Sequence, residues 1–208
     1  MSLPEGTWPW LMDFGRWIAR VPYRWQFRGV RVHSRERFPA SGPVIVVSNH
    51  TSMHDGPILL GAIPRRTVFL IKQEMFRGIV GFLLRKIGQV PVRRGEVDRA
   101  PLMTLLKVLR GGGVVGVFPE GTRGSGDVAA AQSGAAWLAR SSGALVVPVA
   151  HRGTRRGERV DVLIGEPFPL PEAKGRAALE AATEQVRDRL ATLVAELDEL
   201  RVKEEATP

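Results

Sequence analysis

The 208-residue sequence contains no cysteine, which excludes disulfide scaffolds, thiolate metal sites, iron–sulfur clusters and catalytic thiols. It has no run of about 18 apolar residues, the length that a membrane-spanning helix needs, and its first residues lack the regions of a signal peptide. With 44% hydrophobic and 25% charged residues, the chain has enough apolar material for one globular domain. We therefore expect a folded protein that is neither secreted nor transmembrane.

Positive charge is concentrated in the first half of the chain. The net charge is +9 and the sequence pI is about 11.0; residues 1–100 contain 16 Lys and Arg against 7 Asp and Glu, whereas residues 101–208 contain 14 of each. Such a basic surface can face nucleic acid, an anionic membrane or phosphorylated small molecules. The sequence has neither a helix-turn-helix pattern nor an aromatic RNA-binding signature, so we expect no nucleic-acid partner.

The first 27 residues are rich in aromatic side chains, with four of the five Trp and seven of the fourteen aromatic residues. At about 100° per residue, the apolar side chains of residues 8–21 share one arc, which predicts an amphipathic helix ending near Pro22. Trp beside Arg is typical of helices at a membrane interface. We predict that residues 1–28 lie on an anionic membrane surface through Trp8, Trp10, Phe14, Trp17, Arg16 and Arg20. The alternative is a helix that packs against the core.

After Arg28, short β-rich runs alternate with helical stretches. Strands are predicted at Val30–His33, Pro43–Ser48, Thr67–Ile71, Gln89–Val92, Val114–Phe118, Leu145–Ala150 and Val160–Ile164, and helices at Pro57–Ala62, Glu74–Ile87, Ala100–Arg110 and Val128–Arg140. This alternation predicts a single α/β domain over residues 29–175, with a largely parallel central sheet flanked by helices. In the segment 176–208, a long amphipathic helix from Ala177 to about Arg201 is expected to pack on that domain.

The segment Asn49–Asp55 follows a buried strand and precedes a helix, a position where reactive groups are expected. On a straight strand His50 and Asp55 would lie more than about 15 Å apart, so they can meet only if the chain turns. Asp55 would then fix the tautomer of the imidazole and stabilise its protonated form, and His50 could activate a substrate hydroxyl. The alternative is that Asp55 caps the next helix beside an unrelated histidine.

The other histidines are weaker candidates. His54 follows His50 by four residues and could form a zinc pair with it, but no third ligand is evident and the His-Glu-x-x-His pattern is absent. We therefore expect no metal. His33 and His151 are expected at the surface or at strand ends.

A glycine-rich loop, Pro119–Gly126, joins a strand to a helix that begins near Asp127. Backbone N–H groups in such a loop can bind an anion, and Arg123 adds a guanidinium that pairs bidentately with phosphate. The loop is not a P-loop, because the Lys-Ser/Thr of that motif is missing. The alternative is an ordinary connection capped by Asp127.

The sequence contains three patterns in order: Asn-His-x-Ser-x-x-Asp, Phe-Pro-Glu-Gly-Thr-Arg and Val-Pro-Val. Together they resemble the glycerolipid acyltransferase family, specifically the 1-acyl-sn-glycerol-3-phosphate acyltransferases. The resemblance covers most of residues 30–170. The resemblance implies that His50 and Asp55 are the catalytic pair. It also implies an acceptor-binding set of Glu120, Gly121, Thr122, Arg123 and Arg94. Lys72 is a further candidate for the phosphate, and the alternative for it is a solvated charge at the end of a strand. Arg93 stands where an acidic residue is common, and residues 124–126 are richer in glycine than usual, so the acceptor is left open.

The resemblance implies acyl transfer from acyl-CoA or acyl carrier protein to the hydroxyl of a lysophospholipid. The expected acceptor is 1-acyl-sn-glycerol-3-phosphate, giving phosphatidic acid, with His50 as general base. The acyl donor is a substrate, so no cofactor is expected, and we expect a peripheral protein at the cytoplasmic face of the cell membrane. One alternative is an acyltransferase that uses a glycolipid or aminolipid acceptor. The other is a non-enzymatic module that binds anionic lipid or nucleic acid.

Overall fold

The computed structural model describes residues 3–20, 29–93, 99–118, 127–155, 157–171 and 175–206, without the side chains of residues 127–132. The described helices are α1 (Pro9–Arg20), α2 (Asp55–Ala62), α3 (Gly78–Lys86), α4 (Ala100–Arg110), α5 (Asp127–Ser142) and α6 (Arg176–Glu205). The strands are β1 (Val30–His33), β2 (Val44–Ser48), β3 (Thr67–Lys72), β4 (Val90–Val92), β5 (Val114–Val117), β6 (Leu145–Arg152) and β7 (Val160–Ile164). Short 3-10 helices occupy Arg35–Arg37 and Gln73–Met75.

The seven described strands form one sheet in the order β1-β7-β6-β2-β5-β3-β4. The neighbouring strands are parallel except for β6 and β7, which are antiparallel. Strand β2 is central, paired with β6 on one side and β5 on the other. The predicted α/β domain with a largely parallel sheet is confirmed.

Both faces of the sheet are covered, as β2 illustrates. Val44 and Val46 face the side covered by α1 and α2, whereas Ile45 and Val47 face the side covered by α4, α5 and α6. A strand buried on both faces reads as a continuous apolar run because no position in it meets water. Polar chemistry is therefore confined to the ends of the strands.

Helix α6 packs along the domain on an apolar stripe, which comprises Ala182, Val186, Leu190, Leu193 and Leu197. Val186 belongs to the core beneath α4 and α5, and Leu193 and Leu197 pack against Ala150 of β6 and Leu163 of β7. The helix runs four residues beyond the end expected from the sequence, to Glu205.

The prediction of one helix over Glu74–Ile87 is wrong, because the chain turns at residues 76–78. Gly78 has a φ of +55°, a left-handed conformation that glycine adopts without steric cost. Gly81 lies so close to the backbone of Phe76 that a Cβ there would be 2.2 Å from a carbonyl carbon. The two glycines permit this turn, and α3 starts only after it.

Helix α1 is fixed to α2 by buried side chains and by arginine. Met12 and Ala19 are buried in the core that contains α2. The Arg16 guanidinium donates hydrogen bonds to the carbonyl oxygens of Leu60, Ile63 and Pro64 at 3.3, 2.8 and 2.9 Å, groups left without helical donors where α2 ends. The Arg16 side chain is only 12% exposed, so it binds the protein rather than a membrane surface, contrary to its expected role. The Nε atom of Arg20 likewise donates to Gly61.

Candidate active site

The loop between β2 and α2 wraps around the carboxylate of Asp55. Its Oδ2 atom accepts hydrogen bonds from the backbone N–H groups of Thr51 and Ser52 at 2.6 and 2.7 Å. Its Oδ1 atom accepts one from the Ser52 hydroxyl at 2.9 Å. These donors precede Asp55, so the carboxylate organises the loop and does not cap α2. The helix-cap alternative is therefore wrong.

The turn brings His50 and Asp55 into direct contact. His50 Nδ1 lies 2.9 Å from Asp55 Oδ2, and because an ionised carboxylate only accepts, Nδ1 carries the hydrogen. The lone pair of Nε2 is then left for a substrate proton. The Asp55 side chain is fully buried, whereas that of His50 is 30% exposed, so the base can reach a substrate.

An aromatic ring supports the His50 imidazole. Phe118 follows β5 and stacks on His50 with 4.5 Å between ring centroids, and Phe69 of β3 stacks behind it at 5.7 Å. A Cβ at position 116 would lie 2.1 Å from the ring of Phe69. Gly116 in β5 is therefore needed for this ring stack, which restricts the orientation of the base.

The Asp55 carboxyl is ionised although it is buried. Burial alone would raise its pKa, but contacts with His151 and His50 and the backbone N–H of Ser52 outweigh burial and hold the pKa well below its usual range. The site therefore contains a fixed negative charge beside the imidazole of His50.

The lowered pKa of Asp55 predicts a pH-dependent stability. An unfolded aspartate titrates near pH 3.9, so the stabilisation is complete above about pH 5 and is lost as the pH falls below 3.9 towards the folded-state pKa. As the pH falls through that interval, protonation of Asp55 lowers the free energy of unfolding by about 1.4 kcal/mol per pH unit. Below about pH 4, the stability measured by urea unfolding should fall more steeply with decreasing pH in the wild type than in Asp55→Asn, whereas above about pH 5 the slopes should agree. Equal slopes below about pH 4 would contradict the assignment.

Three further polar residues complete the site: Asn49 begins the segment already identified in the sequence, whereas Ser48 and His151 were not predicted to belong to it. His151, expected at the surface or a strand end, lies one residue before the end of β6 but is fully buried, with Nε2 3.1 Å from Asp55 Oδ1. The hydroxyl oxygen of Ser48 lies 3.1 Å from Nδ1 of His151. The side chain of Asn49 hydrogen-bonds both the backbone N–H and the backbone carbonyl of His151. Only the pairing of β2 with β6 brings these residues together.

The remaining site residues predicted from the sequence are distributed as follows. Lys72 is the exposed last residue of β3, at the carboxyl edge of the sheet where β2 delivers His50. The predicted acceptor residues Glu120, Gly121, Thr122, Arg123 and Arg94 lie outside the described residues. Among the residues that the structure does describe, no group of three His, Asp or Glu side chains could hold a metal ion.

The Acyltransferase family model matches residues 29–152. The 1-acyl-sn-glycerol-3-phosphate acyltransferase of Bacillus subtilis (strain 168) is 31% identical over 183 residues, which cover 83% of this chain and 92% of that protein. The human 1-acyl-sn-glycerol-3-phosphate acyltransferase beta is 32% identical over 134 residues, or 60% of this chain and 48% of that protein. The crystal structure of the 1-acyl-sn-glycerophosphate (LPA) acyltransferase PlsC from Thermotoga maritima matches with a TM-score of 0.71 and 24% identity, covering 91% of this chain and 79% of that one.

These matches agree with the fold, and the range of the family model includes the segment that contains His50 and Asp55. They exclude the non-enzymatic alternative, because the family model covers the strands, the turn and the buried histidine that form the site. The chain belongs to the acyltransferase family and is an O-acyltransferase.

Proposed function

We propose that this enzyme transfers an acyl group from a thioester to the hydroxyl of 1-acyl-sn-glycerol-3-phosphate and so forms phosphatidic acid. Membership of the family supports acyl transfer in glycerolipid metabolism, and the names of the relatives support this acceptor. The observation that carries the proposal is the contact of 2.9 Å between His50 and a buried, ionised Asp55. This contact leaves Nε2 of a half-buried imidazole available as a base, just beyond the carboxyl end of β2.

The reaction follows from the chemistry of that base. Nε2 of His50 removes the hydroxyl proton of the acceptor while the oxygen attacks the thioester carbonyl carbon. The tetrahedral intermediate collapses, the carbon–sulfur bond breaks, and the proton held by His50 passes to the departing thiolate. The products are an ester and a free thiol, and the enzyme returns to its starting state without a nucleophilic side chain.

Asp55 favours this sequence through its charge and its position. While His50 holds the proton, the carboxylate stabilises the imidazolium, and throughout the cycle it keeps the hydrogen on Nδ1. The backbone N–H groups of Thr51 and Ser52 are already bonded to Asp55. Donors for the oxyanion must therefore come from elsewhere in the site.

We place the phosphate of the acceptor beside residues 119–126. Phe118, which precedes these residues in the sequence, stacks on the ring of His50. Lys72 ends the neighbouring strand β3, and Arg94 follows β4 by two residues. Arg123 within the loop and Arg94 supply guanidinium groups that pair bidentately with phosphate.

This assignment predicts a selective loss of acceptor affinity. Arg123→Ala and Arg94→Ala are each expected to raise the acceptor KM by roughly 10- to 100-fold, the effect of losing a charged hydrogen bond, with a smaller effect on the donor KM. Lys at either position should rescue binding only in part, because an ammonium does not pair bidentately. Initial rates with each substrate varied in turn measure both constants. A change confined to the donor KM would instead assign these arginines to the donor site.

We further propose that α1 and α3 rest on a lipid surface through one exposed apolar face. We define this face by Trp8, Trp10, Phe14 and Trp17 together with Ile79, Val80, Phe82 and Leu83, which are between 39% and 76% exposed. Trp8 packs edge-to-face on Phe82, and Lys86 lies 4.6 Å from the centroid of the Trp8 ring. Aromatic rings beside lysine are typical of the interface between headgroups and acyl chains. None of the described helices is long and apolar enough to span a membrane.

The position of α3 supports this orientation. Strand β3 ends at Lys72, on the edge of the sheet that bears His50, and α3 begins six residues later. The apolar face therefore includes a helix that starts near the catalytic edge. A lysophospholipid partitions into the bilayer, so an enzyme seated in this way meets its acceptor at the surface.

The acceptor is tested by direct competition. Purified protein is given equal amounts of lysophosphatidate, a glycolipid and an aminolipid acceptor with acyl-CoA or acyl carrier protein as donor, and the products are identified by mass. We expect phosphatidic acid to dominate. Acylation of the glycolipid or aminolipid with lysophosphatidate left unchanged would replace the proposed acceptor and retain the proposed chemistry.

A further inference from the structure

The buried histidine of β6 has no role in the mechanism described so far. His151 is fully buried, and its backbone is locked by the side-chain amide of Asn49, which accepts from its N–H and donates to its carbonyl, both at 3.0 Å. His151 lies two residues beyond Val149, which pairs with Ser48 in the sheet. The ring of His151 therefore reaches the loop around Asp55. A polar ring held this firmly in the interior is expected to have partners for both nitrogens.

The two ring nitrogens face different oxygens. Nδ1 lies 3.1 Å from the hydroxyl oxygen of Ser48. Nε2 lies 3.1 Å from Oδ1 of Asp55, but the two are not aligned as a full hydrogen bond. The Ser48 hydroxyl also donates to the carbonyl oxygen of Val149 at 2.5 Å.

This arrangement restricts the protons on the ring. A ring with a hydrogen on Nδ1 alone would point the lone pair of Nε2 at a carboxylate oxygen, which is repulsive. A hydrogen on Nε2 removes the repulsion and directs a donor at the fully buried carboxylate of Asp55. Asp55 then lies between two imidazoles, one 2.9 Å from Oδ2 and the other 3.1 Å from Oδ1.

We propose that His151 is a positioning residue that carries a hydrogen on Nε2 and holds Oδ1 of Asp55, so that Oδ2 stays aimed at His50. This inference rests on the proposed function of His50 as general base. His151 touches neither substrate and acts through Asp55. Its effect is on the geometry and charge of the pair during proton transfer, and not on substrate binding.

Three substitutions separate this role from simple filling of the core. A Gln side-chain amide can take the place of Nε2 and donate to Asp55, whereas the shorter Asn side chain reaches only the Ser48 side of the pocket. We expect His151→Ala and His151→Asn to lower kcat by about 10²-fold, the cost of misplacing a catalytic group, with both KM values unchanged. His151→Gln should recover most of that loss. Equal activity of the Gln and Asn variants, or near wild-type activity of Ala, would overturn the proposal.

Nitrogen-15 spectra of the imidazoles supply a readout that does not depend on turnover. In the folded wild type, Nε2 of His151 should give a protonated signal and His50 should carry its hydrogen on Nδ1. The Ala and Asn variants should mix the two tautomers of His50, and the Gln variant should not. A lone-pair signal from Nε2 of His151 would contradict the proposal. If the wild type makes no phosphatidic acid, the proposed function fails, whereas these spectra still decide the position of His151.

Discussion

Replacing His50 by Ala is expected to lower kcat/KM for acyl transfer by about 10²–10⁴-fold, the contribution of a positioned general base. The fold should be retained, because the His50 ring is partly exposed and its stacking contact with a described residue is with Phe118 alone. Thiol release from the acyl donor, followed against a matched sample of wild type, measures the change. Circular dichroism and the urea midpoint serve as the control for folding.

Asp55→Asn should also be strongly impaired, because an amide neither stabilises the imidazolium nor enforces the same tautomer of His50. The double variant of His50→Ala and Asp55→Asn should lose little more activity than His50→Ala alone, since the carboxylate acts through the imidazole. Additive losses would show that Asp55 contributes independently of His50. Near wild-type turnover by His50→Ala would refute the mechanism.

Removing aromatic side chains from the apolar face is expected to release the protein from vesicles. Complete burial of one large apolar side chain contributes about 1.5–3 kcal/mol, so half of that burial for three rings corresponds to roughly 10²–10³-fold in partitioning. The triple variant with Ser at Trp10, Phe14 and Trp17 should therefore stay with the soluble fraction when anionic vesicles are floated. These rings are 63%, 49% and 58% exposed, so their loss should cost little stability.

A matched control uses exposed apolar residues away from this face. Trp137 of α5 and Val202 of α6 are 37% and 67% exposed, and their replacement by Ser should leave flotation unchanged. Replacing Ile79 and Phe82 of α3 by Ser should weaken binding to vesicles, as the α1 triple variant does, because both helices form the face. Undiminished flotation of the folded triple variant, or equal loss in the control, would contradict the proposed surface.

The pairing of His50 with Asp55 could be predicted from the sequence because both residues lie on one short segment. A strand followed by Gly56-Pro57 signals a turn, and the turn alone decides whether the imidazole and carboxylate meet. His151 could not be found in this way, because 101 positions separate it from His50 and only the register of β2 with β6 brings them together. A polar residue near the end of an apolar strand was the one available signal.

The N-terminal helix shows a different limit of sequence reasoning. Helical periodicity correctly separated the apolar arc of Trp10, Phe14 and Trp17 from Arg16, but it does not reveal what lies opposite Arg16. Its partners are carbonyl oxygens where α2 ends, and such backbone groups leave no trace in the amino-acid pattern. A prediction of surface charge from sequence therefore failed where a tertiary contact uses the guanidinium.

The most direct test of the account is a mass balance for a single reaction. Purified wild-type protein is incubated with lysophosphatidate in mixed vesicles and an acyl thioester, and free thiol and lipid products are quantified together. We expect one phosphatidic acid for each thiol released, with the rates of both reduced at least about 10²-fold in His50→Ala. Thiol released without a matching phospholipid, or phosphatidic acid formed equally by His50→Ala, would contradict it.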